Sequence, residues 1–152
     1  MQNEVQEKIS VGSEGISYTR LLWAALLAVL LAAVTNAQVY FAASRLGIVS
    51  RGVLLPSPMG LSPLTVGMVV TASVVGAIGA ALVFAIIGLL ARRPVRLFRI
   101  VAAVVLVLSL IPPTTIPSVP LVMRITLGVM HVVTWAVSVG LLTALARRRV
   151  SA

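Results

Sequence analysis

Cysteine is absent from the 152 residues, and so is aspartate. The first absence excludes disulfides, thiol redox chemistry, iron–sulfur clusters and cysteine-ligated zinc. Acidic residues number three, Glu4, Glu7 and Glu14, so no carboxylate follows Glu14 to serve as a base, hold a cation or partner the single histidine, His131. A lone imidazole cannot form a multi-histidine metal site or grip a haem from both faces, and no metal or cofactor is expected. A nucleophile paired with a base is missing as well, and no Gly-x-Ser-x-Gly occurs, so the chain does not read as an enzyme.

What is abundant is apolar: 60% of the residues are hydrophobic and 10% charged, and the apolar ones collect into blocks suited to a membrane rather than to water. The formal charge of +9 would suggest a nucleic-acid surface in a soluble protein. Here the basic residues sit between apolar blocks, where membrane topology and anionic lipid headgroups account for them. Nucleic acid is therefore not an expected partner, whereas the lipid bilayer is.

The expected fold class is all-α: a four-transmembrane-helix bundle with antiparallel neighbours and short loops. A polar tail (1–20) precedes a transmembrane domain (21–148) with spans at 21–43, 63–90, 95–111 and 121–145, and 149–152 form a second tail. The first block at about 1.5 Å per residue exceeds the roughly 30 Å hydrocarbon core. A linker dense in Gly and Pro (44–62) reads as an exposed loop, and Ser62-Pro63 reads as the start of the second helix. Arg92, Arg93, Arg96 and Arg99 surround Pro94 in a basic turn, where the third helix must begin to be long enough, with Arg96 and Arg99 snorkelling to headgroups. Pro112, Pro113, Pro117 and Pro120 read as an uncharged loop, and the last block ends at Arg147-Arg148-Arg149.

Four spans place both termini and the 91–99 turn on one side. That side collects nine basic residues (Lys8, Arg20, Arg92, Arg93, Arg96, Arg99, Arg147, Arg148 and Arg149) against three, Arg45, Arg51 and Arg124, on the other. The excess of Lys and Arg assigns the first side to the cytoplasm of a cell whose inner (plasma) membrane holds the chain. A cleaved signal peptide ending near Thr35-Asn36-Ala37 is the competing reading of the first block, but its leading segment is long and acidic and the apolar run continues to Ala43.

Polar residues away from the helix ends are Asn36 and Gln38, Thr71 and Ser73, and His131 and Thr134. Counted from the outer ends, Asn36, Thr71 and His131 lie at about 10–13 Å, a common depth. Asn36, Gln38, Thr71 and His131 are the candidate intramembrane cluster, with His131 facing inward. Such groups serve either as interhelical glue, the better-supported reading, or as a site open to the outside. Small residues recur every fourth position: Ala24, Ala28, Ala32 and Asn36; Ala72, Gly76 and Ala80; Ala136, Gly140 and Ala144. The stripe centred on Gly76 is the expected close-contact face.

Ser62-Pro63-Leu64, the Arg92-Arg93-Pro94 to Phe98-Arg99 turn and the Met130-His131 pair resemble a family of uncharacterised bacterial four-helix integral membrane proteins, a domain of unknown function. The resemblance implies the architecture across roughly residues 20 to 148 and brings no activity, ligand or catalytic residue. Small multidrug-resistance transporters are similar in size and span count, but they rely on a first-helix carboxylate that this chain lacks. The leading expectation is a structural or accessory membrane component acting through helix packing with its own copies or another subunit. A small transporter or channel with an outward-facing polar site around His131 is the alternative.

Overall fold

The computed structural model describes residues 16–49, 52–57, 60–115 and 119–146. The three glutamates, Lys8, Arg51, Pro117 and the arginine run at 147–149 lie outside the described residues. Helices α1 (Tyr18–Arg45), α2 (Val66–Leu90), α3 (Pro94–Ser109), α4 (Ile111–Thr115) and α5 (Leu121–Leu145) are joined by a hairpin of β1 (Leu54–Ser57) and β2 (Gly60–Pro63) between α1 and α2. Four stretches, Tyr18–Arg45, Val66–Leu90, Pro94–Pro113 and Leu121–Leu145, are long and apolar enough to cross a membrane. Together they form the all-α four-helix bundle that the apolar blocks predict.

Helix α1 buries Ala24, Ala28 and Ala32 completely and Asn36 to 2% exposure, while Leu22, Leu26 and Leu30 point outward. Small residues inside and large ones outside is the arrangement expected when lipid is as apolar as leucine and close backbone approach supplies the packing. Gly47 ends the helix. Its φ of +72° allows Gly47 N–H to reach Ser44 O at 3.1 Å and Ile48 N–H to reach Ala43 O at 2.9 Å. A side chain at that position would oppose the left-handed turn that closes these two bonds.

Three local expectations require correction. Ser62-Pro63 does not start α2 but ends β2, where Pro63 pairs with Leu54 in an antiparallel register running to Ser57 opposite Gly60. Thr65 is the N-cap instead, its Oγ1 accepting from Met68 N–H at 3.3 Å. The span from 44 to 62 is likewise more than an exposed loop, since Leu55 of β1 is buried with Leu64, Val119 and Met123. Finally, Pro112 and Pro113 lie in the short helix α4 rather than in a loop. Lacking N–H groups, they cannot bond back to the carbonyls of Leu108 and Ser109, which stops α3, yet they are tolerated in the first turn of a new helix. Pro94 is the first residue of α3, as the length argument requires.

The core is divided between the two ends of the bundle. At the end carrying the first and last described residues, Ile16 and Ala146, the side chains of Leu21, Phe84, Phe98 and Leu142 pack together, and the rings of Phe84 and Phe98 stack with centroids 4.5 Å apart. Ser17 N–H donates to Ala146 O at 3.0 Å, tying the start of α1 to the end of α5. At the hairpin end a second cluster joins Leu55, Leu64, Val69, Val119, Met123 and Met130. Helix α3 belongs mainly to the first cluster: Pro94, Val95, Phe98 and Ala102 are buried, whereas Val104, Val105, Val107 and Leu108 are exposed.

Candidate functional site

Asn36 reaches across the bundle between the two clusters. Its Nδ2 lies 2.9 Å from Ser73 Oγ on α2 and 2.8 Å from Thr134 Oγ1 on α5, and 3.2 Å from the Met130 carbonyl. Both hydroxyls already donate to their own helices, Ser73 to Val69 O at 2.8 Å and Thr134 to Met130 O at 3.1 Å. Each therefore offers a lone pair, which requires the amide nitrogen and not the oxygen to face them. Asn36 Oδ1 is left buried without a partner.

Depth matching brought Asn36 together with the right helices but with different residues on them. Gln38 and Thr71 are exposed. Two residues along a helix turn the side chain by about 200°, so a residue at nearly the same depth as its neighbour can face the opposite way. Ser73 and Thr134 occupy the inward positions instead. His131 is half-buried, and its Nδ1 lies 2.7 Å from Leu127 O of its own helix. A carbonyl only accepts, so Nδ1 carries the hydrogen in this contact.

Beside this polar knot, α2, α3 and α5 line an open cleft of about 680 Å³ that follows α3 from Phe98 to Ser109. Its walls include Ala72, Gly76 and Gly79 of α2, Val105 of α3, and His131 and Trp135 of α5. The cleft exists because α3 is held by Phe98 and Ala102 at one end while its further turns stay exposed. Asn36, Trp135 and Ser138 all line it, and each has one buried polar atom without a partner: Oδ1, Nε1 and Oγ respectively. Trp135 and Ser138 escaped the sequence reading. The signal was present, because they follow His131 at four and seven residues and so share its face.

A model of a family of unknown function (DUF6069) matches residues 17–150. The chain belongs to that family. No curated protein matches it, and no solved structure does. The family match begins at Ser17, the residue bonded to Ala146, and takes in all four membrane-length stretches together with the hairpin.

The stripe of Ala72, Gly76 and Ala80 is turned away from the tightest contact. Val69, Ser73, Ala77 and Phe84 are the buried face of α2, one residue or about 100° round the helix, while Ala72 and Gly76 are exposed along the cleft and Ala80 is half-buried. A Cβ at Gly76 would nevertheless meet Thr134 Cγ2 at 3.3 Å, so the glycine borders the knot. Ala136, Gly140 and Ala144 of α5 are exposed, and the stripe of α1 is the one at the contact face. Arg92, Arg93, Arg96 and Arg99 are all exposed at the terminus-bearing end, where the Arg99 guanidinium also donates to Thr143 Oγ1 at 3.4 Å. Among the described residues no group of three metal-ligating side chains is assembled.

Proposed function

We propose that this protein is a non-catalytic structural or accessory component of a bacterial inner (plasma) membrane, with both termini cytoplasmic, acting through lateral helix packing with its own copies or another membrane subunit. The observation that carries this reading is the Asn36 knot, in which intramembrane polar groups are engaged in joining α1, α2 and α5. Interhelical bonds of this kind contribute roughly 0.6–2 kcal/mol each and need no ligand. The exposed hairpin-end half of α3 supplies an apolar face on which another membrane helix can lie. Orientation rests on the excess of basic residues, and the exposure of Arg92, Arg93, Arg96 and Arg99 supports a contact with anionic headgroups.

A photoreactive side chain at Val107, 64% exposed, tests the lateral contact in native membranes. A protein adduct of one discrete mass is expected, and adducts with lipid alone would overturn the reading. Reporter fusions at Ala152 and at residue 120 test the orientation, and a non-cytoplasmic signal from Ala152 would reverse it. The second reading, a small transporter or channel with an outward-facing polar site, draws on the position of His131 in the cleft wall. It would overtake the first if His131→Gln abolished a pH-dependent transport activity in a protein that remained folded.

A further inference from the structure

Gln38 is a polar residue that the bundle does not use. It is exposed on α1, about 200° round the helix from Asn36, and among the described residues its amide makes no hydrogen bond. Helix α1 has 28 residues and is about 42 Å long, so on a roughly 30 Å hydrocarbon core centred on it Gln38 stands about 5 Å inside the nearer boundary. The Cα–Cβ bond of a helical residue tilts toward the helix N-terminus, which at residue 38 is toward the bilayer midplane. The amide is therefore aimed away from the nearer headgroups. Facing lipid it would leave its N–H groups and its carbonyl unpaired, a costly state for a polar group at that depth.

The residues around Gln38 form a stripe. Leu27, Leu31, Val34, Gln38 and Phe41 recur at alternating intervals of four and three, and all five are exposed. At about 100° per residue they fall within an arc of about 80°. None of them belongs to either core cluster. Large apolar residues on this repeat, with one polar residue among them, are the seam of a helix pair crossing at about 20°. Arg45, next in the stripe, stands at the helix end, where two such side chains can diverge into water.

We propose that this face of α1 pairs with the same face of a second copy, the two Gln38 amides bonding to each other across a twofold axis along the membrane normal. The inference rests on the lateral packing proposed above and names its partner and its contact. Copies inserted in one orientation bring identical residues to identical depth, so each Gln38 meets another Gln38. An amide is its own complement, since the N–H of each can donate to the carbonyl oxygen of the other. A different subunit would need a matching donor and acceptor at the same level, which a second copy supplies by symmetry.

The chain has no cysteine, so an Ala152→Cys protein takes a single donor or acceptor dye. Energy transfer in phosphatidylethanolamine–phosphatidylglycerol liposomes should fall on dilution with lipid along a monomer–dimer curve. Gln38→Leu should raise the dissociation mole fraction about three- to thirtyfold, Gln38→Asn should stay within about threefold of the parent, and Leu26→Ala, exposed about 100° away, should leave it unchanged. In native membranes a photoreactive side chain at Leu31 should give an adduct of two chains. Unchanged dissociation in Gln38→Leu, equal weakening by Leu26→Ala, or Leu31 adducts with lipid alone or with another protein would overturn the pairing. If the discrete Val107 adduct persists in that case, the α1 interface alone falls; a monomer at every dilution with no protein adduct at either position would remove the proposed function with it.

Discussion

The terminus-bearing half and the hairpin-bearing half of the bundle are built from the same kinds of residue, yet they pack differently. In the first, Phe84 and Phe98 stack, Leu142 is fully buried, and α3 is held close by Pro94, Val95 and Ala102. In the second, α3 keeps Val105 at 56% and Leu108 at 58% exposure, and a cleft separates it from α2 and α5. The turn between α2 and α3 is short, which pins the two helices together at one end only. At the other end the prolines that stop α3 leave no comparable tie, and a hairpin covers α1, α2 and α5. Apolar content alone does not close a bundle in lipid; close approach must be forced by a short loop, an aromatic anchor or a polar bond.

Removing the anchor should erase the difference. Phe98→Ala is expected to lower stability by about 3–5 kcal/mol, read as a fall in midpoint in an SDS unfolding titration from mixed micelles. A cost below that of a lipid-facing Val104→Ala control would mean that the stacked pair does not hold α3. Gly76→Leu, at the border between the halves, presses on Thr134 and through it on Asn36, and should cost about 1–3 kcal/mol in the same titration. Wild-type stability in that variant would show that the leucine turns into the cleft and spares the knot.

Asn36→Ala should cost about 1–2 kcal/mol, because it removes bonds to two helices but also relieves an orphaned oxygen. The loss should shrink when Ser73→Ala and Thr134→Ala are already present; full additivity would contradict the shared network. The smallest effects belong to the cleft. Gly79→Leu and His131→Gln should each move stability by no more than about 0.5 kcal/mol, since the first meets open space and the second loses only a bond to its own helix. A large destabilisation by either would mean that the cleft wall bears packing load.

The number of spans, the basic turn with Pro94 at its helix start, and the four-residue spacing of Ala24, Ala28, Ala32 and Asn36 are all legible in the sequence, although it favours the Gly76 stripe over this one as the contact face. The hydrocarbon core imposes a length, exposed backbone is intolerable within it, and close packing demands small side chains, so these features are written in order along the chain. Tertiary structure alone decided which neighbours Asn36 would find. Thr71 and Ser73 differ by about 3 Å in depth but by about 200° in direction, and direction depends on how each helix rotates against the others. The same rotation turned Ala72 and Gly76 toward the cleft rather than the contact. The hairpin and the cleft are likewise products of assembly: Leu55 has a reason to be in a strand only once Val119 and Met123 are beneath it, and the cleft is the space that α3, fastened at Phe98, does not fill.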